Sequence, residues 1–161
     1  TGPCPLSYNG WGDVLVIVFF GFVPVGGTYY VQALTWTPDV TIASLICGLL
    51  IDTLLVVNNY RDREADARSG KRTVIVRFGE KFGRYFYLML GVTASLLCLC
   101  FLREGHFLAA LLPQLYLIPH FLTWKRMVKI YSGKKLNSIL GETSRNMLFM
   151  GVLIAIGMLV S

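Results

Sequence analysis

The sequence predicts an all-α fold, a polytopic transmembrane helical bundle with about five spans. Of its 161 residues 55% are hydrophobic and only 15% are charged, whereas soluble domains carry about 25% charged residues. The mean hydropathy is +0.60. Five windows approach the roughly 20 apolar residues that cross a bilayer; they cover residues 14–34, 40–57, 84–102, 107–124 and 146–160. These observations exclude a soluble globular domain.

Turn-forming residues separate the first two spans. The opening TGPCPLSYNGWGD is rich in Gly, Pro and Asn, so we expect a loop that leads into the first helix. Gly26 and Gly27 near the end of that helix allow close helix packing. The run WTPD around Pro38 links to the second span, and we expect Asp39 to cap the second helix.

The later helices carry weaker boundary signals. We expect the second helix to continue past the membrane to a stop at Ser69 and Gly70. The following KRTVIVRFG contains a short apolar patch and is expected to lie at the membrane interface. Pro113 and Pro119 predict kinks in the fourth span. The fifth span is short and can lengthen at its Arg145 end by snorkelling.

The basic residues predict the orientation of the bundle. All 15 Lys and Arg lie in three connections: eight in 61–84, one at Arg103 and six in 125–145. Because two spans separate the two strongly basic connections, both lie on one side, which the positive-inside rule predicts to be cytoplasmic. Residues 1–13 are then cytoplasmic too. Nucleic-acid binding is not expected, since the bases adjoin membrane exits and no soluble module presents them.

Chemically useful side chains gather where the second helix leaves the membrane. Asp62 and Asp66 are four residues apart, so both can reach one divalent ion or its water shell. On an ideal helix, Asp52, Leu55, Asn59, Asp62 and Asp66 fall within an arc of about 80°. A polar stripe that faced lipid would be costly, so this one must face the bundle interior or a water-filled cavity.

This pattern predicts a site for a divalent metal and a phosphate. Mg²⁺ prefers oxygen ligands and usually holds one or two protein carboxylates together with waters and substrate phosphates. Asp62 and Asp66 supply that number, and Lys71 and Arg72 in the following loop could hold phosphate. The arrangement suits a ligand with a diphosphate at one end and a lipid at the other. The alternative is that the aspartates pair with neighbouring arginines in a solvated helix end.

Residues 58–79, NNYRDREADARSGKRTVIVRFG, resemble the second aspartate-rich motif and following loop of the UbiA superfamily of intramembrane prenyltransferases. Within it the run is similar to the NNxRDxxxDxxxGKxTxxVRxG pattern of the 1,4-dihydroxy-2-naphthoate polyprenyltransferases of the menaquinone pathway. PLSYNGWGD at 5–13 and VFFGFVPVGGTYYVQ at 18–32 resemble the same branch. The similarity covers most of residues 5–84, while the last three spans match only as hydrophobic helices.

The resemblance implies a fold of nine transmembrane helices around a central cavity, with two aspartate-rich motifs at its cytoplasmic mouth. No first motif of the NDxxD kind precedes residue 52. We therefore expect residues 1–161 to be the C-terminal part of one prenyltransferase domain, with half of the metal site, inactive alone. The resemblance further implies a multi-pass protein of the bacterial inner membrane with the motif on the cytoplasmic side.

The implied reaction transfers a polyprenyl group from an allylic prenyl diphosphate to 1,4-dihydroxy-2-naphthoate, with loss of carbon dioxide, to give demethylmenaquinone. The cofactor is Mg²⁺, and the partners are the polyprenyl diphosphate, the naphthoate and the lipid bilayer. Asp62 and Asp66 are implied as catalytic metal ligands, and Lys71 and Arg72 as diphosphate binders.

Other residues are weaker candidates. Asn59 could orient a ligand or a metal-bound water, and Tyr8 could line the aromatic site. Arg61 could pair with an aspartate or with the naphthoate carboxylate, and the sequence does not decide between them. Asp52 and His120 both lie inside spans, where function and structural hydrogen bonding are both open interpretations.

Two other functions remain open. A related prenyltransferase could use homogentisate, hydroxybenzoate or a chlorin as acceptor. In a transporter or structural membrane subunit, the aspartates would instead serve an ion path. A CDP-alcohol phosphotransferase also uses a membrane aspartate helix, but its DGxxAR pattern does not occur here.

Overall fold

The computed structural model describes residues 6–160, which form helices and no strand. Five helices are long and apolar enough to cross a membrane, so the predicted all-helical fold is confirmed. They are α1 (Gly12–Ala33), α2 (Pro38–Arg68), α3 (Val74–Glu104), α4 (Phe107–Ile130) and α5 (Lys134–Val160). A short 3₁₀ turn, Leu6–Asn9, precedes α1. The predicted loop before α1 lies partly outside the described residues.

Helix α2 begins one residue earlier than its predicted cap. The Thr37 hydroxyl accepts a hydrogen bond from the Val40 amide at 3.4 Å, and Pro38 occupies the first helical position. The prediction that Asp39 caps this helix is therefore wrong. Asp39 lies in the first turn, where its negative charge opposes the positive end of the helix dipole and so stabilises the helix.

The end of α2 agrees with the sequence prediction, and α3 begins earlier than expected. Helix α2 ends at Arg68, followed by Ser69 and by Gly70 with φ +75°. The apolar patch that we assigned to the interface forms the first turn of α3, capped by the Thr73 hydroxyl. Gly79 has φ 86° and interrupts α3, so this first turn is set off from the membrane-spanning part.

Helices α1, α4 and α5 also depart from the predicted windows. Residues Ile17–Gly26 of α1 form a π-helical stretch that contains Pro24, whose missing N–H disturbs regular helix bonding. In α4, Leu112–Tyr116 is a 3₁₀ segment around Pro113. Helix α5 begins at Lys134 rather than at residue 146, because its polar first turns escape a search for apolar windows.

Helix α2 is the centre of the bundle and packs against α1, α3 and α5. Two clusters of buried side chains join α2 to α3, α4 and α5. One surrounds Phe101 and Tyr116, and the other surrounds Tyr60 and Tyr87. Helix α1 contributes no side chain to either cluster as described over residues 6–160. It contacts α2 through Gly21 instead, where a β-carbon would collide with the backbone of Ser44.

His120 is buried between α3 and α4 with both ring nitrogens occupied. Nδ1 lies 2.9 Å from the Tyr116 hydroxyl, and Nε2 lies 3.2 Å from the Leu88 carbonyl oxygen. The ring also stacks against Tyr87 at a centroid distance of 4.7 Å. A carbonyl can only accept, so Nε2 carries the proton and Nδ1 accepts from tyrosine. These contacts favour the structural interpretation of His120.

Candidate functional site at the end of helix α2

Three separate segments meet where α2 ends. The Arg72 amide donates to the Tyr8 carbonyl oxygen at 2.9 Å, which holds the N-terminal turn against the α2–α3 connection. The Arg61 guanidinium donates from Nη1 to Oδ1 of Asn137 at 2.9 Å, which holds the start of α5 against α2. The basic segments 61–84 and 125–145 therefore lie at the same end of the bundle as residues 6–13.

Asp62 is paired with its chain neighbour Arg61. Nε donates to Oδ1 at 2.7 Å and Nη2 donates to Oδ2 at 2.6 Å, a bidentate contact. Nη2 also donates to Oδ1 of Asn58 at 2.7 Å. Of the two partners that the sequence allowed for Arg61, the structure contains the aspartate. The Asp62 side chain is 38% exposed, so it remains open to a ligand from outside.

Asp66 is paired with Lys71. The Lys71 ammonium lies 3.2 Å from Oδ2 of Asp66, and the Lys71 amide donates to the Asp66 carbonyl oxygen at 2.9 Å. This turn brings the predicted diphosphate-binding lysine directly over the second aspartate. Arg72 follows it and is exposed at the surface. The predicted aspartates and cations are thus gathered at one helix end, each aspartate beside a cation.

The oxygen ligands at this end fit part of a Mg²⁺ site. Asn58, Asp62 and Asp66 recur every four residues and so project from one face of α2. Within residues 6–160 no three His, Cys, Asp or Glu side chains converge as metal ligands. Mg²⁺ needs only one or two protein carboxylates when phosphates and waters complete its shell, so the two aspartates fit it in that mode.

The structure brings Asn58, for which the sequence suggested no role, to the side of Asp62, and it places Asn59 elsewhere. Asn59 is buried and lines a cavity of about 60 Å³ on the α1 side of α2, with Gly10, Gly12, Asp13, Leu55, Lys71 and Thr73. Asn58 instead shares the Arg61 guanidinium with Asp62. The prediction overlooked Asn58, although its spacing of four residues before Asp62 was a usable signal.

An apolar groove runs between α1, α2 and α5 and ends at Asn58. Its inner part has a volume of about 630 Å³, and its outer part has about 530 Å³. Both parts include Ile51 and Ser144. The outer part is lined by Val16, Phe20, Ile51, Leu54, Leu55, Asn58, Leu140, Gly141 and Ser144. Because Asn58 bonds the guanidinium that binds Asp62, the apolar groove leads to the aspartate pair.

The chain is similar in sequence to a known family of membrane enzymes and to several of its members. A model of the UbiA prenyltransferase family matches residues 3–153. The chain is 34% identical to the 1,4-dihydroxy-2-naphthoate octaprenyltransferase of Haemophilus influenzae over 99% of its own length and 52% of the relative. It is 41% identical to the proteins of that name from Escherichia coli and Mycobacterium leprae, over 62% and 58% of its length and 32% of each relative.

The chain therefore spans about half the length, or less, of the curated relatives it matches. No solved structure gives a significant match.

Proposed function

The chain belongs to the UbiA prenyltransferase family, and on that basis we propose that it is the C-terminal part of a Mg²⁺-dependent enzyme. The enzyme transfers a polyprenyl group from an allylic prenyl diphosphate to 1,4-dihydroxy-2-naphthoate. The direct product, after loss of carbon dioxide, is the quinol form of demethylmenaquinone, which air oxidises to demethylmenaquinone. Three relatives whose names specify 1,4-dihydroxy-2-naphthoate support this acceptor.

The apolar groove that ends at charged oxygen ligands is the observation that carries the proposal. A prenyl diphosphate has an apolar tail and a strongly anionic head, and the groove and the α2 end offer matching environments about one helix turn apart. The groove lining is almost entirely hydrocarbon, with Asn58 at the end that faces Asp62. We propose that the prenyl tail lies in the groove and that the diphosphate lies beside Asp62 and Asp66.

The cationic residues would stabilise the leaving diphosphate. Breaking the allylic C–O bond places additional negative charge on the diphosphate, and preorganised positive groups lower that barrier most effectively. We propose that Lys71 and Arg72 bind the diphosphate and that Asp62 and Asp66 hold Mg²⁺. When bound, the ion would neutralise phosphate charge as a Lewis acid. Arg61 would hold Asn58 and Asp62 in position through the hydrogen bonds described above.

The aromatic acceptor would bind near the rim of the site. Tyr8 is 36% exposed and is held on the α2–α3 connection by its backbone, so we propose it as one contact of the ring. The prenyl carbon forms a bond with the ring carbon that carries the carboxylate. The bond from that carbon to the carboxylate then breaks and releases carbon dioxide. Arg61 and Asn59 are further candidates for contacts with the acceptor or with bound water.

The membrane position is also part of the proposal. The basic segments lie at one end of the bundle with the aspartates, and positively charged loops favour the cytoplasmic side. We propose that this end faces the cytoplasm in a bacterial inner membrane, which is where a water-soluble naphthoate would enter.

Product mass tests the proposed function. Membranes with the intact protein receive an allylic prenyl diphosphate, 1,4-dihydroxy-2-naphthoate and Mg²⁺, and we expect a product with the mass of a demethylmenaquinone. EDTA should abolish it, and Asp62→Asn should lower the rate by about 100-fold or more, since one electrostatic contact is worth about that much. Glu64→Gln, at an exposed carboxyl of the same helix end, is the matched control.

The same assay with other aromatic acceptors gives the results that would contradict the proposal. Product formed only with homogentisate, hydroxybenzoate or a chlorin would retain the prenyl transfer and overturn the naphthoate assignment. No transfer to any acceptor by folded protein would overturn the enzymatic proposal and favour a transport or structural role.

A further inference from the structure

Two carboxyl groups face each other inside the bundle, away from the aspartates of the motif. Asp13 lies in the first turn of α1 and is 7% exposed, whereas Asp52 lies in the middle of α2 and is fully buried. Gly48 of α2 lies against the Ile17 backbone of α1. Asp52 and Asp13 lie one helical turn beyond that contact, so the register of the two helices places their carboxyls opposite each other. Within residues 6–160 neither carboxyl oxygen of Asp52 has a hydrogen-bond partner. A buried, uncompensated carboxyl is costly, and the pair is therefore an unusual feature of this interface.

None of the side chains that line the cavity beside Asp13 is a cation paired with Asp13 or Asp52. Of the residues that line the adjacent 60 Å³ cavity with Asp13, the one charged side chain is Lys71, and its ammonium lies 3.2 Å from Asp66. The other polar residues that line this cavity are Asn59 and Thr73. Two buried carboxylates placed opposite each other repel strongly, and one proton held between them would remove that repulsion.

The cavity connects the carboxyl pair to the proposed site. Its volume of about 60 Å³ accommodates about two water molecules at about 30 Å³ each. Water there has polar partners in Asp13, Asn59, Lys71 and Thr73. Since Lys71 is paired with Asp66, the cavity lies between the buried pair and the second aspartate of the motif. Water in this cavity would give a proton a path between Asp13 and the mouth of the site.

Among the described residues near the site, the other buried or partly buried acids and the buried histidine are already paired. Asp62 is bound to Arg61, Asp66 to Lys71 and Glu80 to Arg84, and both nitrogens of His120 are hydrogen-bonded. Under the proposed function Asp62 and Asp66 also hold the metal and so cannot act as bases. Asp13 and Asp52 therefore remain as the buried acids near the site that are available for proton transfer.

We propose that Asp13 and Asp52 are the proton acceptor of the reaction, and that they remove the proton from a hydroxyl of the aromatic acceptor. This inference rests on the proposed function. The singly protonated pair accepts the hydroxyl proton through the cavity water, which leaves an electron-rich phenolate. The phenolate ring carbon forms the bond with the prenyl carbon, and the carboxylate then leaves as carbon dioxide. The electron pair from that bond restores an aromatic phenolate, which takes the proton back, so the pair ends as it began.

Infrared spectroscopy tests the shared proton without requiring turnover. Intact protein in liposomes at neutral pH should show the carbonyl stretch of a protonated carboxylic acid. Asp52→Asn should remove that band, whereas Glu64→Gln should retain it. If wild-type protein has no such band, both carboxyls are ionised or otherwise paired, and the proposal fails.

Kinetics test the use of that proton. Diphosphate release and prenylated product are measured separately across a pH series. We expect Asp13→Asn and Asp52→Asn to retain Mg²⁺-dependent diphosphate release, with the prenyl cation captured by water as an alcohol. Product formation near neutral pH should fall by about 100-fold, a usual contribution of a general base. The loss should shrink as pH rises, because the acceptor hydroxyl then ionises in solution.

A conservative variant separates proton transfer from structural support. Asp52→Glu keeps a carboxyl and should restore product while displacing the pH profile, and thermal midpoints establish that each variant is folded. If folded Asn variants make product at the wild-type rate with an unchanged pH profile, the pair is only structural. If the Asn variants do not fold, an Asp52→Glu profile identical to wild type overturns the proposal. Wild-type protein that releases no diphosphate would instead overturn the proposed function, whatever the infrared result.

Discussion

At the scale of the residue, Arg61 organises the end of α2. Its planar guanidinium donates to Asp62 through two nitrogens, to Asn58 and to Asn137. A lysine ammonium is a compact charge without this fixed fork of donors. Only arginine can therefore satisfy acceptors on two helices and also hold the aspartate in a bidentate contact. The side chain thus links the proposed metal ligand to the start of α5.

We predict that Arg61→Lys destabilises the contact between α2 and α5. The bond to Asn137 is solvent-exposed, so its coupling free energy should be small, about 0.5–1 kcal/mol. A double-mutant cycle with Asn137→Ala, followed by thermal or denaturant unfolding in detergent, measures that coupling. Additive effects of the two substitutions would show that the interhelical hydrogen bond does not contribute to stability.

At the scale of the element, α1 and α2 approach each other through glycine. A β-carbon on Gly48 would lie 2.9 Å from the Ile17 Cα, and one on Gly21 would collide with the Ser44 carbonyl oxygen. Small residues at such positions let two backbones come into contact, which is the main source of packing energy between helices in lipid. The same register places Asp13 of α1 opposite Asp52 of α2, one helical turn beyond the contact between Gly48 and Ile17.

We predict that Gly21→Ala weakens the α1–α2 contact, because backbone atoms cannot yield as a flexible side chain can. Overpacking of this kind costs about 1–3 kcal/mol. Gly27→Ala in the same helix is the matched control, since a β-carbon there meets nothing within 4 Å. We expect the thermal midpoint of Gly21→Ala to be lower than that of Gly27→Ala in the same detergent. Equal midpoints would contradict the packing argument.

At the scale of the whole molecule, polar and apolar features occupy different regions. The basic connections, the N-terminal turn and the motif aspartates lie at one end, and the apolar groove extends from that end between α1, α2 and α5. Large exposed hydrophobic side chains occur on α1, α3, α4 and α5, as expected for helices in contact with lipid, whereas the central helix α2 has none. This separation places a charged head and an apolar tail of one ligand in suitable surroundings.

We predict that the two ends of the bundle are accessible from opposite sides of the membrane. In a protein with its native cysteines replaced, Ser69→Cys and Ser132→Cys should react with a membrane-impermeant maleimide from the cytoplasmic side. Glu104→Cys, at the end of α3, should react from the other side. Labelling of all three positions from one side would contradict the five-span arrangement.

The helical class, the five spans and the position of the aspartate motif at the end of α2 could all be predicted from the sequence alone. Hydrophobic length is a local property, so windows of apolar residues identified each span. The stop after α2 was equally local, since Gly70 adopts the positive φ that glycine accommodates. The window method missed the starts of α3 and α5, because their first turns are polar or interrupted.

Which polar residues lie together depends on how the helices pack. Helical spacing grouped Asn59 with Asp62, yet Asn59 turns to the α1 side, whereas Asn58 shares Arg61 with Asp62. The pairing of Asp13 with Asp52 was not visible in the sequence, because the two residues are 39 positions apart. Such contacts depend on how two helices rotate and approach each other, and a one-dimensional pattern does not contain that information.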